Sequence, residues 1–569
     1  MADKDTNSSE INKTTTPTSP ARRKFLGQVG GATAASVAGA VGVPAALLTP
    51  GTAAAAVTSD TPIDLSTRRA QALAIRTAAA LFQASKPILP HPDNGDEARY
   101  ADRRGNFSKG LQHNQFGEVL PASYNSLKRA LESGKPNHFE EIQLGGTRKL
   151  VSPQAGLAFD MEGADCHLHV IRPAPTFRSA EQASEIVENY WMALLRDVPF
   201  NSYASSPLAA AAVADLNSMS DFRGPKVNGL VTPQTLFREN FVGVLDGPLL
   251  SQFFIKGDSD GNIPYGTNGI TQRVQMVAPG VDYMTNQAEW LAVQNGAARA
   301  PAGRITQRRY MTDGRDVSEW VHVDVLYQAY FMACLVLDFL KVPLNPTNPY
   351  VNSQTQDGFA TFGGPFAKTL LVEAATRALK AVWYQKWYVN LRLRPEAMGG
   401  AIHLNKTGQR GYDVHNDALN SDAVARAFAK NGSYLLPMAF PEGSPIHPAY
   451  GAGHATVAGA CITVIKALYD GSALVPNPQM VDSNTGELVP YTGGPLTVEG
   501  ELNKIGVNVA NGRNMAGVHW RTDGRESILL GEQVAIGMLQ DTQRTFNENR
   551  DNFFNGFKFK GFLGNQINI

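Results

Sequence analysis

The residues best suited to chemistry in this chain are Lys386, Arg394, Arg513, His447, His454 and His519, with Gly453 and Asp523 among them. Three cations and a free backbone amide can hold a tetrahedral oxyanion. One imidazole can then attack or coordinate it, and a second can move a proton. Lys386 stands eight residues before Arg394-Pro395. Eight helical residues rise about 12 Å and turn about 80° beyond two full turns, so two long side chains so placed can converge on one anion. Pro395 perturbs the helix at Arg394. The flanking Trp383, Tyr384, Trp387 and Tyr388 point to a helix buried all round rather than to a solvated polar face.

The second element is the stretch EGSPIHPAYGAGHATVAGACITVIKALYD. Gly451 and Gly453 let backbone approach a ligand closely. A helix of small residues is expected to begin there, so the amide of Gly453 sits at a helix N-terminus, where unpaired N–H groups and the helix dipole favour anions. His454 is then held at the rim of that site and His447 on the loop entering it. In the third element, ANGRNMAGVHWRTDGRES, Asp523 follows His519 by four residues. If this stretch is helical, both share a face, and the carboxylate can orient the imidazole or pair with a nearby cation. A plain helix pair would explain His519 and Asp523 but leaves Arg513 without a reason.

These residues need a scaffold, and the periodicity supplies a mainly α, helix-bundle one. Helices are expected over about 66–85, 179–198, 205–220, 316–341, 366–391, 420–430, 453–470 and 524–546. Residues 157–172 alternate enough for a hairpin, and 235–305 is punctuated by Gly, Pro and Asn as partly loop. Asp258, Asp260 and Asn262 resemble the opening of a calcium loop, but Ile263 and Gly269 occupy the positions that need Gly and Glu, so a solvated turn is expected. The domain organisation reads as an export segment over 1–56, an N-terminal helical region over 57–300 and a C-terminal region over 301–569 carrying the site.

The 51 basic and 51 acidic residues cancel, which argues against nucleic acid or an acidic membrane as partner and makes local cation clustering more telling. Near the N-terminus, Ala21-Arg22-Arg23-Lys24-Phe25-Leu26 leads into a small, weakly apolar run broken by Pro44 and Pro50. That pattern reads as a twin-arginine export signal cleaved near Ala56, giving a periplasmic or secreted protein without a stable membrane anchor. Cys166, Cys334 and Cys461 are far apart and read as buried free thiols.

The order Lys…Arg-Pro, Gly-His, Arg…His…Asp resembles the vanadium-dependent haloperoxidases and the type-2 acid phosphatase superfamily. The stretches NGDEARYADRRGNFSKGLQHNQFGEV, DGRDVSEWVHVDVLYQAYF, EGSPIHPAYGAGHATVAGAC and GRNMAGVHWR are similar to the bromoperoxidase branch of red algae and cyanobacteria. The resemblance implies vanadate as cofactor, with His519 its axial ligand and Lys386, Arg394, Arg513 and the Gly453 amide on its oxygens. It makes His454 the acid–base residue and His447 a wall of the halide pocket. The implied reaction oxidises bromide, and in some members chloride or iodide, with hydrogen peroxide to hypohalous acid that halogenates an organic acceptor. Vanadium stays at +5 as a Lewis acid. A large homo-oligomer of dodecamer type with structural calcium is also implied, and the oxygen-rich loop Asn352, Gln354, Gln356, Asp357 could host that calcium. The chain departs from the pattern at Ala452, where the family has a serine bonded to vanadate, a loss of roughly 1–3 kcal/mol. Trp383 implies a drier halide pocket and so chloride as well as bromide. Two alternatives share the scaffold: a phosphatase in which His519 is phosphorylated and His454 protonates the leaving group, and a binding or shell protein that has lost its chemistry at Ala452.

Overall fold

Short polar caps and prolines set where the helices of this chain begin. Ser179 accepts from the amide of Gln182, Ser206 precedes Pro207 and accepts from Ala209, Ser421 accepts from Val424, and Thr497 accepts from Gly500. The computed structural model describes residues 64–569. Its longer helices are α1 (Arg68–Ala84), α2 (Pro121–Ser133), α3 (Ala180–Leu194), α4 (Pro207–Ser218), α5 (Gln328–Phe339), α6 (Gly364–Tyr384), α7 (Pro395–Lys406), α8 (Asp422–Asn431), α9 (Gly453–Leu468), α10 (Val498–Met515) and α11 (Arg521–Thr542). The strands are short antiparallel two-stranded ribbons: β1 (Asn262–Tyr265) with β2 (Asn268–Thr271), β3 (Val274–Val277) with β4 (Arg304–Arg309), β5 (Gln479–Val481) with β6 (Leu488–Pro490), and β7 (Lys558–Lys560) with β8 (Gln566–Asn568). The expected mainly α, helix-bundle architecture is what forms.

Helix α9 is the axis of the bundle. Almost every residue in it is buried, as its all-round run of small and apolar side chains requires, and it packs most extensively on α11, then on α6 and α10. Glycines let α9 and α11 approach closely: a Cβ at Gly459 would fall on the carbonyl oxygen of Ile528, and one at Gly531 on that of Thr456. The core around α9 draws on Phe241, Val244 and Phe253 as well as on α5, α6 and α10. A second core joins Tyr190 and Trp191 of α3 to Met398 of α7 and Trp520. Residues on both sides of position 300 therefore share the same cores.

Several sequence expectations need correction. Residues 157–172 form no hairpin: a 3-10 turn, Pro153–Leu157, ends where they begin, and a second, Cys166–Leu168, lies within them. The helix expected over 316–341 breaks into Gly314–Trp320 and α5. The intervening His322 and Asp324 put their side chains into ion pairs elsewhere, and the β-branched Val321, Val323 and Val325 around them disfavour a helix. The helix expected over 366–391 is α6 followed by a π-helical turn, Gln385–Asn390. Helices α2, α7 and α10 are not among the expected spans. The turn at Asp258 is the expected one, with its Oδ1 accepting from the amides of Asp260 and Asn262. Cys166, Cys334 and Cys461 are free and buried. No helix among the described residues is long and apolar enough to cross a membrane. The expected twin-arginine segment lies outside the described residues.

Candidate active site

Lys386 and Arg394 do not share one helix. The π-helical turn carrying Lys386 ends at Leu391, whose φ of 44° reverses the chain, and Arg394 is the extended residue capping α7 just before Pro395. The reversal achieves the convergence that helical spacing was expected to give. Lys386 Nζ donates to the carbonyls of Pro448 (2.9 Å), Ala449 (3.1 Å) and Gly451. The ammonium is thus bound to the loop that carries His447. Arg394 donates from Nε to His447 O (2.9 Å), from Nη2 to His447 Nδ1 (2.9 Å), and from Nη1 to Val518 O (2.7 Å) and His519 Nε2 (3.0 Å). Arg513, in the last turn of α10, donates to Val321 O at 2.9 Å and lies 5.3 Å from the Phe440 ring, while its buried Nε has no partner among the described residues. All three cations are buried, and among the described residues none of them is ion-paired to a carboxylate. Burial, with mutual repulsion, holds Lys386 well below the usual lysine range and Arg394 down to about 9. Burial lowers Arg513 to about 10.

His519 and Asp523 meet, though not as a helix pair. His519 precedes α11, and Asp523 in the first turn of that helix accepts from His519 Nδ1 at 2.7 Å and from the Trp520 amide at 3.2 Å. The carboxylate is fixed from behind: Arg392 donates to it at 2.8 Å and also to Glu185 at 2.8 Å and Gln182 at 2.7 Å, with its guanidinium 4.7 Å from the Trp520 ring. Because Asp523 takes the Nδ1–H, Nε2 of His519 carries the lone pair, into which Arg394 donates. Burial, then Arg394, Lys386 and Arg513, hold His519 well below the usual histidine range. Its contact with Asp523 does not reverse this, because Asp523 is itself raised by burial and shared with Arg392.

Helix α9 begins at Gly453, as expected. It has no side-chain cap, and its first backbone hydrogen bond runs from Thr456 N to Ala452 O at 3.0 Å, so its first-turn amides face the cationic cluster. Trp383 packs over this end, where a Cβ on Gly453 would lie 3.1 Å from its ring, and it stands 4.9 Å from the ring of His447. His454 bonds through Nε2 to Asp324 at 3.0 Å. Burial, with Arg513 and Lys386, keeps both His447 and His454 low; for His447 the effect of Lys386 and Arg394 is larger. The structure therefore brings Lys386, Arg394, His447, Gly453, His454, Arg513, His519 and Asp523 together, with Ala452 and Trp383 at the edge.

Three further residues complete the site without having been anticipated: Arg392, Asp324 and Ser527. Ser527 Oγ on α11 accepts the buried amide of Ala452 at 2.7 Å, and a Cβ on Gly451 would strike it. Ser527→Ala leaves that amide unsatisfied and should lower stability by about 1–3 kcal/mol; urea unfolding measures it, and an unchanged midpoint would remove the residue from the account. Acid sensitivity is a second expected outcome. Burial pushes His169 down to about 4. Its folded value lies below the unfolded one of about 6.5, so on acidification the unfolded chain takes up a proton that the folded one refuses. Stability falls as pH drops from about 6.5 towards 4, by about 2 kcal/mol at pH 5 from this residue alone. Unfolding at about pH 7.5 and 5 reads the difference, and the cradle histidines shift in the same direction.

The loop Asn352, Gln354, Gln356, Asp357 exposes all four side chains, and no group of three or more His, Cys, Asp or Glu among the described residues is arranged to hold a metal.

Comparison with known proteins agrees with this geometry. A family model described as the VCPO second helical-bundle domain matches residues 368–548, which contain every cradle residue. The vanadium-dependent bromoperoxidase of Corallina pilulifera is 36% identical over 589 residues, covering 88% of this chain and 98% of that protein, and that of Corallina officinalis matches equally. The homohexameric structure of the second vanadate-dependent bromoperoxidase from Ascophyllum nodosum superposes with a TM-score of 0.83 at 29% identity, covering 94% of this chain and 95% of that one. With such relatives aligned over nearly nine-tenths of its length, the chain belongs to the vanadium-dependent bromoperoxidase family.

Proposed function

We propose that this chain binds vanadate in the cradle and oxidises bromide with hydrogen peroxide to hypobromous acid, which halogenates small organic acceptors. The observation that carries the reading is the convergence of three buried cations lacking carboxylate partners on an uncapped helix N-terminus and an imidazole lone pair. The residues fit a tetrahedral oxyanion: the orphaned Nε of Arg513 needs an acceptor, and the first-turn amides of α9 need one too. Bound vanadate would supply a Lewis-acidic centre that activates peroxide without a change of oxidation state.

The protein's own contributions follow from the contacts. His519 offers Nε2 to the metal because Asp523 holds Nδ1–H and Arg392 holds Asp523. Arg394, Arg513, Lys386 and the Gly453 amide would hold the oxygens of the anion and neutralise their charge. Lys386 reaches them only by exchanging one of its loop carbonyls, so loop and anion binding are linked. His454 donates Nε2–H to Asp324, leaving Nδ1 free to hold or move a proton at the anion site. Trp383 and His447 form an aromatic wall that excludes water on the halide side, which extends the proposal to chloride and iodide. Export by the twin-arginine route and assembly as a homo-oligomer belong to the same proposal. Subunit number, twelve by the sequence resemblance and six in the Ascophyllum structure, is read by analytical ultracentrifugation.

The test is bromination of a β-diketone by metal-free protein with peroxide and bromide, before and after orthovanadate. Activity that appears with vanadate and falls as phosphate competes is expected. Ester hydrolysis without vanadate and no bromination with it would replace this reading by the phosphatase. Ala452→Ser should tighten vanadate binding by about 1–3 kcal/mol, roughly 5- to 150-fold, through one added hydrogen bond to the anion. Vanadate titration calorimetry measures it, and an unchanged constant would show that the first-turn amides already meet the need.

A further inference from the structure

The buried arginines among the described residues fall into two groups. Arg196, Arg315, Arg392 and Arg521 are ion-paired to Asp282, Asp197, Asp523 and Glu188 respectively. Arg394, Arg513 and Arg238 are buried without a carboxylate partner among the described residues. The first two of these three make the anion cradle. The third lies elsewhere, lining a cavity of about 450 Å³ to which no cradle residue contributes.

Arg238 is 8% exposed. Its guanidinium donates to Val244 O at 2.7 Å and Gly247 O at 2.9 Å, which fixes its orientation but does not neutralise it. The carboxylates that act on it most are Glu501 and Asp246, and Glu501 is already committed to Lys504 at 2.5 Å and to the Gln252 amide at 2.7 Å. The remaining walls are mostly apolar: Phe200, Leu249, Ile255, Met311, Val481 and Tyr491. A concave apolar volume with one oriented, unneutralised charge is the form of a site for a molecule with an apolar body and one anionic group. We infer that this cavity is a second ligand site, separate from the cradle, for a small aromatic or aliphatic molecule bearing a single carboxylate, sulfonate or phenolate.

The full-length protein, with vanadate saturating the cradle, is titrated with 8-anilinonaphthalene-1-sulfonate and with its uncharged analogue N-phenyl-1-naphthylamine, each followed by fluorescence. One sulfonate per chain is expected, bound about tenfold tighter than the neutral amine, the worth of one charge-assisted contact. Arg238→Gln should erase that tenfold preference while Arg238→Lys keeps part of it. Leu249→Trp, which fills the cavity and leaves Arg238 in place, should abolish binding of both probes without altering bromination, and far-UV circular dichroism checks that each variant is folded. Equal affinity for the two probes, no saturable binding, or sulfonate binding that survives Leu249→Trp would each overturn the inference.

Discussion

Replacing His519 with alanine is expected to lower vanadate-dependent bromide oxidation by on the order of 10³-fold, the upper range for removing one preorganised group at a reacting centre. Among the imidazoles of the site, His519 is the one whose tautomer a buried carboxylate fixes from behind. Asp523 receives the Nδ1–H at 2.7 Å, Arg392 holds Asp523 at 2.8 Å, and the surrounding charge keeps the ring neutral. Alanine removes that imidazole while leaving Arg394 its bonds to His447 and Val518, so the fold and most of the anion attraction survive. Rate should therefore fall far more than vanadate affinity. Asp523→Asn separates the two effects. It keeps the shape but releases the tautomer, and should cost about 10- to 100-fold in vanadate affinity. Steady-state kinetics at saturating vanadate, paired with calorimetric titration, read both quantities. A His519→Ala enzyme within tenfold of the parent rate would exclude this imidazole as the donor.

The cradle was legible in the sequence where the chemistry is local. Gly453 followed by His454 and a run of small residues fixes a helix start and hence an amide that faces outward, and α9 begins there. The pairing of His519 with Asp523 was also legible from spacing, although the geometry is a helix cap rather than a helix face. What the sequence could not convey is set by distant contacts. Asp324 meets His454 across 130 positions, and Arg392 meets Asp523 across 131 and Glu185 across 207. No periodicity encodes such separations. One local sign was available for Asp324: a polar residue inside the alternating Val-His-Val-Asp-Val run of 321–325, where a continuous helix was expected and a break occurs. Arg392 stands two residues before Arg394, and nothing in the local spacing marks it as the partner of Asp523. The left-handed Leu391 that turns it toward Asp523 is a tertiary outcome, since nothing about leucine favours a positive φ.

Arg513→Met is expected to make the vanadate-free protein more stable and to remove most of the stabilisation that vanadate confers. Lys386, Arg394 and Arg513 repel one another in a buried site where Asp523, which favours the charge of Lys386 and Arg394, is already shared between Arg392 and His519, and Asp324 and Glu442, which favour that of Arg513, are bonded to His454 and His322. Replacing a buried charge group by an apolar side chain of similar volume is often neutral or stabilising by about 1–4 kcal/mol. The gain here is offset in part by the hydrogen bond from Arg513 to Val321 O, about 1 kcal/mol. Methionine can keep the packing against Phe440, where Arg513 now lies 5.3 Å from the ring. With vanadate at about a thousand times its dissociation constant, the parent protein should gain about 4 kcal/mol. A roughly hundredfold weaker variant at the same concentration would gain only about 1.4 kcal/mol. Thermal unfolding with and without vanadate, repeated with phosphate as an inert tetrahedral anion, separates the two terms. A variant that is less stable without anion yet keeps the full vanadate increment would show that Arg513 supports the fold rather than the cradle. The opposite result identifies the site as one that stores its electrostatic strain for the anion to release, which is why the chain tolerates three uncompensated cations in its core.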